Sequence, residues 1–180
     1  DEIEYDRKDA MLCIVRDITE RKQAAEKIQR INNQLTGSIR YAKRIIDSIL
    51  QSKGGLQEIL PSSFIFFKPK DIVSGDFYWY HKKNDKAIVA VVDCMGHGIA
   101  GAFMSLIANE LLQDVIVNRN ILDPPAILRE MHKGVVSILT EGGKTGATAG
   151  GMDVAVCSLD YKTNILEFAG AGRRMQMYRD

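Results

Sequence analysis

Cysteine is scarce in this chain: Cys13, Cys94 and Cys157 are odd in number and far apart, which excludes a disulfide framework and a zinc knuckle. A reducing cytoplasm suits such a composition. No sign of charge dominates either, because 24 Lys plus Arg stand against 23 Asp plus Glu for a net charge of +1. Nothing electrostatic therefore calls for nucleic acid or an anionic membrane as partner. Long apolar runs are also missing. The longest, Ala87 to Val92, falls far short of the ~20 residues of a membrane span, so no transmembrane segment is expected. The start at Asp1 shows no basic-plus-apolar leader, so the expectation is a chain without signal peptide, cut from something longer.

What is present is ordinary globular material, 46% hydrophobic and 26% charged, in 180 residues. That length allows one core, or a small domain plus part of a neighbour. Ala10 to Arg16 reads as a strand that needs partners upstream which the chain lacks. Asp17, three residues before Glu20, has the layout of a capping box and should start a helix. That helix is expected to run to about Ser52, with Ile28, Leu35, Ala42 and Ile49 spaced by seven and Ile31 and Ile45 on the second seam. The spacing predicts a parallel coiled-coil homodimer, interrupted by Ser38 on the second seam, or else one amphipathic helix packed on the following domain. Gly54 and Gly55 should end it in the left-handed cap conformation.

Beyond Leu60 the texture changes to short strands and turns. Strands are expected at Phe64 to Lys68, Phe77 to Lys82 and Lys86 to Asp93, the last two forming a hairpin through Asn84-Asp85. Helices follow at Ile99 to about Val117 and, begun by Asp123 and Pro124, to about Thr140. Strands near Met152 to Leu159, Ile165 to Ala169 and Met175 to Tyr178 complete an α+β layered pattern. No internal repeat is visible.

Chemistry concentrates in Ser74-Gly75-Asp76-Phe77 and, one hairpin later, Val92-Asp93-Cys94-Met95-Gly96-His97-Gly98. Asp76 opens one strand and Asp93 closes the next, so antiparallel pairing brings both carboxylates to one end of the sheet. Hard oxygen donors of this kind suit Mg²⁺ or Mn²⁺. The plainer alternative is that Asp93 caps the next helix and Asp76 sits in a turn.

From about Leu60 onward the chain resembles the SpoIIE-like serine phosphatases, relatives of protein phosphatase 2C that dephosphorylate regulators of sigma factors. The resemblance rests on Lys68-Pro69-Lys70-Asp71-Ile72-Val73-Ser74-Gly75-Asp76-Phe77, on Asp93 with Gly96-His97-Gly98, and on Gly151-Met152-Asp153. It implies an αββα sandwich, incomplete here, and a two-ion Mn²⁺ or Mg²⁺ site held by Asp76, Asp93 and the Cys94 backbone carbonyl. It further implies hydrolysis of phosphoserine or phosphothreonine on a regulatory protein by metal-activated water. The family's remaining metal acids lie in later motifs that do not occur before Asp180, so little catalysis is expected of these residues alone. Upstream, Arg16-Asp17-Ile18-Thr19-Glu20-Arg21-Lys22 resembles the end of a PAS sensor domain, and Tyr41-Ala42-Lys43-Arg44-Ile45 a segment leading into such phosphatases, although Ile46 and Gln51 depart from that pattern. The organisation expected is a PAS end at 1–18, a signalling helix at 19–55 and the N-terminal part of the phosphatase domain at 60–180.

His97 is a candidate general acid or a conformational residue, and Gly96 and Gly98 let the backbone approach closely. Asp153 is a candidate supporting acid or a strand cap. Arg173 offers a phosphate contact, with an idle solvated turn, shared with Arg174, the plainer reading. His81 and His132 lack ligand-spaced neighbours and belong to the surface or a boundary. Trp79 should pack on one sheet face. Gly142-Gly143-Lys144-Thr145-Gly146 is no P-loop, since Ile138 stands where the first glycine belongs; a mobile loop is expected there. A sensor histidine kinase would need a His followed by an acid on the helix after the coil, and none of the three histidines lies there. A non-catalytic module that binds a phosphoprotein or relays dimer state is the alternative from another class, favoured mildly by Gly150 where the family often has Asp.

Overall fold

A computed structural model describes residues 2–5, 8–11, 16–50, 55–140 and 150–179. The chain divides into two compact units, residues 1–38 and 39–180.

In the first unit β1 (Glu2–Tyr5) pairs antiparallel with β2 (Lys8–Met11), Ile3 opposite Ala10. The strand expected at Ala10 to Arg16 therefore begins earlier and has an upstream partner within the chain, because Glu2 to Tyr5 is itself an extended segment close enough to fold back on it. Helix α1 (Thr19–Ile49) follows, and Asp17 Oδ1 accepts the Thr19 amide at 2.8 Å. That is half of the expected capping box; among the described residues Glu20 does not reach back to the Asp17 amide. No residue of α1 is buried, and Ile28, Ile31 and Leu35 are each more than half exposed.

In the second unit Gly55 differs from expectation. It has φ −85° and precedes a short helix α2 (Leu56–Ile59), so it is no left-handed cap. Glycine is required there for space, since a Cβ would overlap the Tyr80 hydroxyl. Gly54 lies outside the described residues. Phe64 to Lys68 joins none of the sheets: Phe64 and Phe66 are exposed, Ile65 and Phe67 half-buried, and the Phe67 ring meets Tyr78 edge-on.

The sheet runs β3 (Asp76–Lys83), β4 (Lys86–Cys94), β5 (Met152–Asp160), β6 (Ile165–Ala171), every neighbour antiparallel. The β3–β4 hairpin turns as expected through Asn84, whose φ of 54° an asparagine tolerates. Between β4 and β5 come α3 (Gly98–Leu112), which widens into a π-helical turn at Gln113–Asn118, and α4 (Pro124–Thr140). Asp123 Oδ2 caps α4 by accepting the Ala126 amide at 3.0 Å. Both helices cover one face of the sheet, where Trp79, Ile88, Val92 and Val156 meet Leu112, Ile116 and Ile127 in a core closed to solvent. Trp79 packs on that face as expected. The helix from Gly98 to Asn118 is long and apolar enough to cross a membrane by length and composition, but its buried side packs into this core.

The other sheet face carries Val91, 53% exposed, and Tyr78 stacked on Tyr80. One sheet with two helices on one face is a single αβ layer pair of the expected αββα sandwich. Met175 to Tyr178 forms no strand; Met177 and Tyr178 are exposed, without a neighbouring ladder to join.

A candidate metal centre at the acidic end of the sheet

The hairpin register sets Asp76 directly opposite Asp93, as the strand pattern predicts. The next ladder adds what the pattern did not disclose: Asp153 stands directly opposite Asp93 on β5. Cross-strand partners point to the same face, so three carboxylates line one row at one end of the sheet, on the face away from α3 and α4. In the adjoining row Phe77, Val92 and Val154 point into the core and fix the register, because a one-residue slip would exchange the two rows.

Loops on both sides are held tightly around this row. Ser74 Oγ accepts the Asp76 amide at 3.0 Å, shaping the turn into β3. Gly96 and Gly98 have φ of 94° and 62°, the left-handed region that favours glycine, and between them His97 is extended. The Met95 amide donates to the Gly151 carbonyl at 2.9 Å and ties this loop to the start of β5. Gly75, part of the acidic motif, and Gly101, at the start of α3, bring backbone against backbone here. A Cβ on Gly101 would lie 2.9 Å from the Gly96 carbonyl oxygen, and one on Gly75 3.2 Å from that of Cys94. The small-residue start of α3 was the only sequence signal for Gly101.

The Cys94 thiol is buried in the core rather than on the face of the acid row; burial first, and the Asp76 charge second, push its pKa up to about 12. Its carbonyl oxygen, lying against Gly75, is the donor that remains. Asp76, Asp93 and this carbonyl are hard oxygen donors suited in kind to Mg²⁺ or Mn²⁺. The set is short of a full coordination shell. Among the described residues no three His, Cys, Asp or Glu side chains are gathered closely enough to hold an ion.

His97 Nδ1 lies 3.4 Å from Asp71 Oδ2, a partner the sequence did not reveal, and its ring is 82% exposed. Arg173 departs from the idle turn expected of it. Its guanidinium contacts Asp93 Oδ2, and its Nε lies 3.5 Å from Asp153 Oδ2. His81 is half-buried, with its pKa lowered by burial and by the Lys83 charge, and His132 is exposed; neither joins the site. The Gly142 to Gly146 loop and Cys13 lie outside the described residues.

Comparison with known proteins agrees with this geometry. A family model described as stage II sporulation protein E (SpoIIE) matches residues 83–180. Among solved structures the chain is similar to the SiaA-PP2C domain of Pseudomonas aeruginosa, at 32% identity and a TM-score of 0.66, covering 78% of this chain and 55% of that one. It is also similar, at 20% identity and a TM-score of 0.42, to the RsbU and RsbW domains of Rv1364c from Mycobacterium tuberculosis, covering 57% of this chain and 26% of that one. The chain thus spans about half the length of the SiaA structure. No curated protein sequence matches it significantly. With more than half of its residues matched by the family model and its sheet and helices superposing on a PP2C domain, this chain belongs to the SpoIIE family of PP2C-like phosphatases.

Proposed function

We propose that the chain carries the N-terminal part of a metal-dependent phosphatase that hydrolyses phosphoserine or phosphothreonine on a regulatory protein of bacterial signalling, such as a sigma-factor regulator, in the cytoplasm. The observation that carries this reading is the row Asp76–Asp93–Asp153 at the end of the sheet, beside a loop of two left-handed glycines.

In this reading Asp76, Asp93 and the Cys94 carbonyl hold Mn²⁺ or Mg²⁺. Held there, such an ion would supply charge to the phosphoryl oxygens and an acidified water, chemistry that would need no covalent intermediate. Asp71 Oδ2, 3.4 Å from His97 Nδ1, draws that side of the ring toward itself, which leaves Nε2 as the nitrogen to pass a proton to the leaving serine oxygen. Gly96 and Gly98 let the backbone turn without a side chain in the way of the phosphoryl group.

The N-terminal 1–18 is in this reading the end of a PAS sensor, and α1 a signalling helix that pairs with a second copy through Ile28, Ile31 and Leu35. The exposure of those three residues supports pairing. Further along, Ile39, Ala42 and Ile46 line an apolar cleft of about 190 Å³ with Ile99, Phe103 and Leu106. A binding module without catalysis is the second reading, favoured by Gly150 where the family often has Asp.

Mn²⁺-dependent release of phosphate from a phosphoserine protein, measured on the complete protein with and without Asp93→Asn, separates the two. Release that Asp93→Asn abolishes establishes the enzyme. Undiminished release in the variant removes Asp93 from the metal site, and binding of the phosphoprotein without any release establishes the module.

A further inference from the structure

Arg173 belongs to no motif used above, and its position is built by the backbone. β6 ends at Ala171, and Gly172, at φ 73°, then bridges to Val154 and turns the chain over the start of β5. A Cβ on Gly172 would overlap the Asp153 carboxylate, and one on Gly170 would overlap the Arg173 carbonyl. Two glycines therefore allow a turn tight enough to lay Arg173 on the acids. Its planar fork reaches Asp93 through one amino nitrogen and Asp153 through Nε, which spans two neighbouring carboxylates in a way a lysine ammonium does not.

We propose that Arg173 is a tethered antagonist of the divalent cation at Asp93, so that ion binding and the Arg173 bridge weaken one another. This rests on the metal reading of the preceding section. Asp93 is the middle acid of the row, shared between Asp76 on one side and Asp153 on the other. A cation held between Asp76 and Asp93 would share Asp93 with a guanidinium already on Oδ2, whose charge lowers the negative potential the ion would meet. The arginine side chain is 44% exposed and can swing into water without leaving a cavity. Such antagonism is reciprocal: the factor by which Arg173 weakens the ion is the factor by which the ion weakens the bridge. Withdrawal would also free a guanidinium at the edge of the site whenever the ion is loaded.

The test is a Mn²⁺ titration of the full chain, stripped with EDTA, followed by the paramagnetic resonance of free Mn²⁺, together with the thermal midpoint. At low salt Arg173→Gln should bind Mn²⁺ about fivefold more tightly or better. Without metal its thermal midpoint should fall, since Asp93 and Asp153 then face each other uncompensated, and Mn²⁺ should restore it. Mn²⁺ binding that Asp93→Asn abolishes but Arg173→Gln leaves unchanged or weakens overturns the antagonism and leaves the metal reading standing. No Asp93-dependent binding in either protein overturns both.

Discussion

Asp93 and Asp153 face each other directly across the β4–β5 ladder, although like charges in such pairs are unfavourable by up to about 1 kcal/mol. A sheet selected for stability alone would not keep that pair, and the contact of Arg173 with both acids shows how the fold accommodates it. Sites that bind cations commonly retain such unfavourable charge at some cost in stability.

Asp93→Asn should therefore lose the stabilisation that Mn²⁺ gives while leaving the fold intact. A ligand present at a hundred times its dissociation constant stabilises by about 2.7 kcal/mol. Thermal scans at rising Mn²⁺ should show an upward shift for the parent and none for the variant. A parallel shift in both would remove Asp93 from the site.

Close backbone contact at Gly101 makes a sharp steric prediction. Gly101→Val should destabilise by roughly 1–3 kcal/mol, since its Cβ would press on the Gly96 carbonyl and on Gly75, both of them backbone that cannot rotate away. Urea unfolding reads the loss as a lower midpoint at unchanged slope. An unaffected midpoint would mean that the loops can part freely.

The acid dependence of stability has an identifiable contributor in Glu130. Hydrogen bonds from Lys133, at 2.7 Å, and from Arg119 hold its carboxyl well down, to about 2 from an ordinary 4.5. Because the folded value is the lower one, the contribution is complete above the ordinary value and fades as pH falls toward about 2. Urea midpoints of the parent and Glu130→Gln should differ near neutral pH and converge on acidification. A gap that widens as the pH drops would contradict the ion-pair account.

Self-association has its own test. Leu35→Asp should abolish concentration-dependent dimerisation in sedimentation, and Leu35→Cys should crosslink between copies, if the exposed seam of α1 pairs as proposed. A parent chain that stays monomeric at all concentrations would count against the coil.

Much of the sheet could be read in advance because its signals are local. Alternating apolar residues, Asn84 in the hairpin turn and Asp123 before Pro124 each act over a few neighbours, and β3 to β6 and α4 lie where those signals place them. Local signals misled where no ladder completed them. Phe64 to Lys68 and Met175 to Tyr178 have strand-like sequences, but a strand is completed by a ladder, and among the described residues neither segment joins one. Gly55 has the local signal of a cap, whereas the Tyr80 ring, on a distant strand, takes the space a side chain there would need.

By itself the sequence determined that Asp76 and Asp93 share one end of a hairpin, since strand length and turn fix that register. Only the tertiary structure decided that Asp153 joins them, that Asp71 meets His97, and that Arg173 lies across two of the acids. These partners come together through the β4–β5 ladder, the close packing of Gly75 against Gly101 and the turn at Gly172. Such long-range contacts are selected by the packing of the whole layer and leave no periodicity along the chain to read.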